Sequence, residues 1–288
     1  MNTESGSSIK INDYHIHVNI IGEGEPIVFL HGGPGSEHRF FLPYMIPLSK
    51  NFKLVFYDQR GCGKSDLSEN DQYSMKNEVE NLEALRIQLG FEKMNLFGES
   101  WGSMLALLYA TTYPKRVNKI LLTAAIGVTS KGLKRFSKEL EKKLTEDDKI
   151  KLSVLEEKLK IEKSSIYDIL HILDPYYVFS QETLKRKEKT KFNSSVNKVI
   201  GMDMENNYDV TGDLHKLSNI PILIAQGSHD ILTPSIMKEL FSEHIPHLQL
   251  VEIEECGHWT VVEQPEKMCN VALNFFGQKN EITNDVLR

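Results

Sequence analysis

The chain has 288 residues, 40% of them hydrophobic, so it can bury a sizeable core as one large domain with an insertion or as two small ones. Its formal charge of -6, with 34 Lys and Arg against 40 Asp and Glu, gives no electrostatic reason to approach nucleic acid or an anionic membrane. Cys62, Cys256 and Cys269 are widely spaced without a CxxC pair, which indicates neither a disulfide framework nor a zinc site. The opening MNTESGSSIK is polar, and no apolar run reaches the ~18 residues of a membrane span. We therefore expect a soluble cytoplasmic protein with reduced thiols.

Short apolar runs recur along the chain with helical stretches between them. YHIHVNII (Tyr14 to Ile21) alternates, as suits an antiparallel edge hairpin. PIVFL (Pro26 to Leu30) does not alternate, as expected of a strand buried on both faces. KLVFYD (Lys53 to Asp58) follows, then a helical pattern over Met75 to Leu89, the run MNLFG (Met94 to Gly98), and a helix over Trp101 to Tyr113. KILLTA (Lys119 to Ala124) closes the first half. The alternation then stops: residues 125–218 read as charged helices, and we expect a helical cap inserted into a core formed by 1–124 and 219–288. PILIAQG, a helix over Ser235 to Glu243, LQLVEIE and a helix over Pro265 to Phe276 resume the series. Strands alternating with helices predict a mostly parallel central sheet flanked by helices.

GESWG places Ser100 between Gly98 and Gly102 at a strand-to-helix junction, the arrangement of a nucleophile elbow. A serine hydroxyl needs a base to take its proton and a carboxylate to orient that base. In this architecture they should follow in the order acid then histidine, after later strands. GSHDILTP puts Asp230 just after one strand and ECGHW puts His258 just after the next. His31, His38, His244 and His247 lie off the expected base position and read as surface or structural residues, and Asp58 reads as a loop-shaping partner of Arg60. Acyl transfer also needs donors for a developing oxyanion. The backbone N–H of Trp101 is one; the HGGPG turn supplies the other from Gly33, with Gly32 as the near neighbour. Cys256, two residues before His258, sits where a bulky thiol reagent would displace the base's loop.

Together HGGPG, DQRGCGKS, GESWGS, GSHDILTP and CGHW resemble the α/β-hydrolase superfamily, and more narrowly its proline iminopeptidases, over about Ile9 to Ala124 and Ile220 to Phe276. The resemblance implies the α/β-hydrolase fold, a Ser100–Asp230–His258 triad with Gly33 and Trp101 as oxyanion hole, no cofactor and no metal. It also implies an aminopeptidase that releases N-terminal proline from short peptides; an esterase or other small-molecule acyl hydrolase is the alternative. The chain departs from the family pattern at Glu99, usually glycine, at Cys62, commonly serine, and at Ile231, where some members carry a glutamate after the triad aspartate. The family recognises the substrate's free amine with acidic residues of the cap, for which Glu182, Glu188, Asp203 and Glu205 are the candidates here.

Overall fold

A computed structural model describes residues 6–187 and 190–278. Eight strands form one sheet: β1 (Ser7–Ile11), β2 (Tyr14–Ile21), β3 (Pro26–Leu30), β4 (Lys53–Tyr57), β5 (Met94–Glu99), β6 (Val117–Thr123), β7 (Ile222–Gly227) and β8 (Gln249–Ile253). Their order is β1-β2-β4-β3-β5-β6-β7-β8. β2 runs antiparallel to β1 and β4, and the pairings from β4 through to β8 are parallel. β1 escaped the sequence reading because SSIKI lies at the sheet edge and buries only Ile11 fully.

The unbroken apolar runs of the central strands have the reason expected of them. Successive side chains alternate between faces, so Ile27 and Phe29 enter one core while Val28 and Leu30 enter the other. The first core packs under α9 (Pro265–Gly277), through Met268, Ala272 and Phe276. The second packs under α1 (Met75–Gln88), α2 (Trp101–Thr112) and α7 (Pro234–Phe241).

Between β6 and β7 the chain builds α3 (Ser130–Lys143), α4 (Glu146–Lys160), α5 (Ile166–Leu173) and α6 (Ser194–Asn207). These starts are encoded locally: the Thr145 side chain accepts from the Asp148 N–H, and Ser165 with Asp168 forms a reciprocal capping box. Among the described residues no helix is long and apolar enough to cross a membrane.

Because β3 to β8 are parallel, their carboxyl ends lie along one edge, and the loops that follow β3, β5, β7 and β8 converge there beneath the helical insertion.

Candidate active site

The turn from β5 into α2 carries Ser100 at φ 51 and ψ -117, a strained conformation for a residue with a side chain. The surroundings enforce it. A Cβ on Gly102 would collide with the Leu30 carbonyl, and one on Gly98 with the Gly102 carbonyl, so glycines let the elbow press against the end of β3. The Ser100 N–H donates to the Thr123 carbonyl at 3.1 Å, fixing the bend to β6.

His258 Nε2 lies 3.1 Å from Ser100 Oγ, and its Nδ1 lies 2.8 Å from Asp230 Oδ1. In the tautomer these partners require, Nδ1–H donates to the carboxylate and Nε2 accepts from the serine hydroxyl. Burial alone would push His258 below the ordinary imidazole value, but the charge and hydrogen bond of Asp230, helped by Glu99, raise it above that value. The Asp230 carboxylate is held in turn by Gln226, whose Nε2 donates to Oδ2 at 2.8 Å and whose Oε1 accepts from the Ala125 N–H at 2.9 Å.

Phe136 of α3 and Tyr177 flank the His258 ring, with centroids 5.2 and 5.4 Å away. The His258 N–H donates to the Tyr177 carbonyl at 2.6 Å. Glu263, on the short helix α8 (Thr260–Glu263), accepts from the Gly257 N–H on one side, and from Phe179 N–H at 2.9 Å and Ser180 N–H at 3.0 Å on the other. Gln226 and Glu263 were missed in the sequence; a glutamine in an apolar strand and a glutamate that ends a buried apolar stretch were the signals available.

A second network ties the other two loops to the elbow. Trp101 Nε1 donates to Gln59 Oε1 at 2.8 Å, and the Gln59 N–H donates to His31 Nε2 at 3.1 Å. His31 Nδ1–H then donates to the Gly32 carbonyl at 3.0 Å. Burial keeps this imidazole neutral, lowering it below its ordinary value, so His31 is structural as expected. Asp58 differs from expectation in its partner. Both its oxygens are committed, Oδ1 to the His38 N–H and Nδ1–H at 3.0 and 2.7 Å and Oδ2 to the Lys64 N–H at 2.9 Å. Burial works against this carboxylate, but the His38 hydrogen bonds win and hold it down at about 2. Arg60 instead lies over the Tyr14 ring, 3.9 Å from the centroid, a cation–π contact.

His17, His38 and Asp58 bring candidate ligand atoms within 4.8 Å of one another. With both Asp58 oxygens and His38 Nδ1 already hydrogen-bonded, the group reads as a self-satisfied network and leaves no carboxylate free for a metal.

A cavity of about 200 Å³ opens onto Ser100 and His258. Gly33, at φ 113, and Trp101 line it, as do Phe40, Phe136, Met204 and Trp259. Two carboxyls line it among the described residues, and neither was expected. Asp174 pairs with Lys187, whose Nζ lies 2.8 Å from Oδ2 and 4.4 Å from the Trp259 ring centroid. Glu99 is 5% exposed and stands over Gly32, where a Cβ would strike its carboxyl group. Burial raises Glu99 to about 7, with His258 and a backbone hydrogen bond from Gly32 opposing and Asp230 adding to the rise.

Of the cap acids named from the sequence, Glu182, Asp203 and Glu205 do not line this cavity. Glu182 is exposed and pairs with Lys185 at 2.7 Å. Asp203 spends one oxygen on the Met75 N–H at 2.8 Å and the other on Asn207 at 2.7 Å. Glu205 is exposed on α6, and Glu188 lies outside the described residues. Cys256 is fully buried, with Sγ 3.6 Å from the Gly257 carbonyl, and burial pushes its thiol well above the ordinary range, which disfavours the reactive thiolate.

The sequence matches the family described as alpha/beta hydrolase fold over residues 25–265. It is 30% identical over 295 residues to a proline iminopeptidase of Lactobacillus helveticus, covering 93% of this chain and 96% of that one. Among solved structures it is similar to an alpha/beta fold family hydrolase from Bacillus anthracis str. Sterne, with a TM-score of 0.76, 25% identity and coverage of 94% and 98%. It also matches an esterase from Exiguobacterium antarcticum at a TM-score of 0.76 and 22% identity, covering 95% of this chain and 100% of that one, a likeness of fold alone. The elbow, the converging loops and these matches together make this chain a member of the α/β-hydrolase family, resembling within it the proline iminopeptidases.

Proposed function

We propose that this hydrolase is a serine aminopeptidase that releases an N-terminal proline, or another small residue, from short peptides in the cytoplasm. The observation that carries the mechanism is the continuous hydrogen-bond chain from Ser100 through His258 to Asp230, opening onto one cavity. Ser100 Oγ attacks the scissile carbonyl carbon while its proton passes to His258 Nε2. The resulting oxyanion sits against the backbone N–H groups of Gly33 and Trp101, each worth on the order of 3 kcal/mol in comparable sites. Collapse expels the amine, which takes the proton from His258. Water, activated by the same imidazole, then releases the acyl group. Asp230 holds the tautomer and offsets the imidazolium charge. This sequence of steps calls on no cofactor.

The substrate assignment is supported by similarity to proline iminopeptidases along nearly the whole chain. Its test compares prolyl-, alanyl- and N-acetylprolyl-anilides with p-nitrophenyl acetate, using Ser100→Ala as blank. The peptidase reading expects prolyl-anilide to be cleaved fastest and the acetylated compound hardly at all. Ready acetate hydrolysis without anilide cleavage would make the protein an esterase, and equal rates on free and acetylated prolyl-anilide would end the aminopeptidase assignment.

A further inference from the structure

We propose that Glu99, the residue before the nucleophile, is the counter-ion for a protonated amine on the acyl half of the substrate, so that the enzyme selects acyl groups bearing an ammonium beside the scissile carbonyl. This rests on reading Ser100 as the nucleophile and leaves open whether the leaving group is an amine or an alcohol.

The inference starts from a carboxyl without a cationic partner among the described residues. Of the two carboxyls that line the cavity among the described residues, Asp174 is neutralised by Lys187 at 2.8 and 3.0 Å. Among the described residues no Lys or Arg forms an ion pair with Glu99. His258, whose charge acts most strongly on it, already gives Nδ1 to Asp230 and turns Nε2 to Ser100. Lys143 lies on the far side of Asp230, its Nζ donating to the His229 and Asp230 carbonyls at 3.1 and 3.4 Å. Much of the remaining wall is apolar, including Phe40, Ile126, Leu133, Phe136 and Met204. An unpaired carboxylate in such a place is costly, and a group that ionises only near neutrality is the consequence. A cation delivered by the substrate would complete the pair.

The position of the carboxyl defines which cation. Glu99 ends β5 and Gly32 follows β3, the strand paired with β5 through Leu30 and Gly98. The missing Cβ at Gly32 gives the Glu99 carboxyl its place beside the nucleophile. Once Ser100 Oγ is bonded to the acyl carbon, the next substrate atom is the α-carbon. An ammonium on that atom is the cation the acyl group can bring into the neighbourhood of residue 99. A neutral acyl group would occupy the same space but leave the carboxylate unpaired.

The test compares ethyl esters of alanine and of isobutyric acid, which have the same shape and differ by an ammonium for a methyl. Wild-type enzyme should favour the alanine ester in kcat/KM, and Glu99→Gln should reduce that preference by about thirtyfold or more, the range for losing one partner of a desolvated charge pair. A second measurement needs no variant: protonated alaninol should inhibit wild-type hydrolysis of ethyl isobutyrate at least about tenfold better than isobutanol. Equal inhibition by the two alcohols, or a Glu99→Gln enzyme that loses the same factor on both esters, would overturn the proposal. If the alanine ester is preferred while prolyl-anilide is left intact, the peptidase assignment fails and the role of Glu99 stands. If prolyl-anilide is cleaved and the ester preference survives Glu99→Gln, the reverse holds.

Discussion

Replacing Glu78 by glutamine should stabilise the protein increasingly as pH rises, and the size of the effect follows from where this carboxyl is buried. Glu78 lies on α1, 1% exposed, where Asn81 Nδ2 donates to its Oε1 at 3.1 Å and Asn81 Oδ1 accepts from the Tyr14 hydroxyl. Its other oxygen has no well-formed hydrogen bond among the described residues, the Arg60 backbone being the donor that faces this carboxyl. Burial raises it from an ordinary 4.5 to about 8, against the opposing pulls of Asn81 and Arg60. The unfolded chain therefore releases this proton from pH 4.5 upward, while the folded chain keeps it until about 8. In that window the folded state binds more protons, so the contribution of this group to stability falls by ~1.4 kcal/mol per pH unit. Between pH 5 and 7 the accumulated loss is about 2.5 kcal/mol, and glutamine, which does not titrate, escapes it. Urea unfolding of both proteins at pH 5, 6 and 7 should show the variant gaining on wild type by that amount. Parallel pH profiles, or a wild type that gains on the variant, would mean that the carboxylate is ionised and paired with Arg60 in the folded protein, and the reasoning would fail.

Asp230→Asn should lower kcat by about 10⁴-fold with the fold intact. Gln226 Nε2 requires an acceptor from residue 230, so the asparagine must turn its NH2 toward His258 Nδ1 and force the proton onto Nε2; a variant within tenfold of wild type would refute this. On a neutral ester, kcat/KM should rise with pH through a midpoint above the ordinary imidazole value, because Asp230 and Glu99 favour the imidazolium. Glu99→Gln should move that midpoint down, and an upward shift would contradict the sign. Iodoacetamide at pH 7.5 should leave the native enzyme active, since Cys62 and Cys256 are buried; rapid loss of activity in step with Cys256 alkylation would count against the packing described for that loop.

The parts of the site that were legible in the sequence are those in which local backbone and chemistry coincide. Ser100 announces itself because a bend between two packed elements demands small neighbours on both sides, and that demand is written as Gly98 and Gly102. Asp230 and His258 stood out because each follows the end of an apolar strand, and the fold brings both to Ser100. What escaped depends on encounters across the fold. Asp174 meets Lys187 only after the insertion has closed on itself, and no periodicity forecasts a pair thirteen residues apart. The acids of the cap helices were read as recognition groups because charge patterns do not say which carboxylates are already taken; Asp203 is occupied by the Met75 N–H at the start of α1. Arg60 was assigned to Asp58 by proximity in the chain, whereas His38, twenty residues away, reaches that carboxylate first.

The carboxylate of Glu263 grips two parts of the chain at once, the backbone at 179–180 within the insertion and the Gly257 amide beside His258. On that side the insertion is therefore anchored to the loop that carries His258. Were it to swing away, it would drag the Tyr177 carbonyl from the His258 amide and loosen the imidazole that must face Ser100. Asp174 belongs to the same fastening, since its carbonyl accepts from the Tyr177 N–H at 3.0 Å while its carboxylate pairs with Lys187 at 2.8 Å. A single buried glutamate thus makes the seating of the insertion and the alignment of the imidazole one and the same structure.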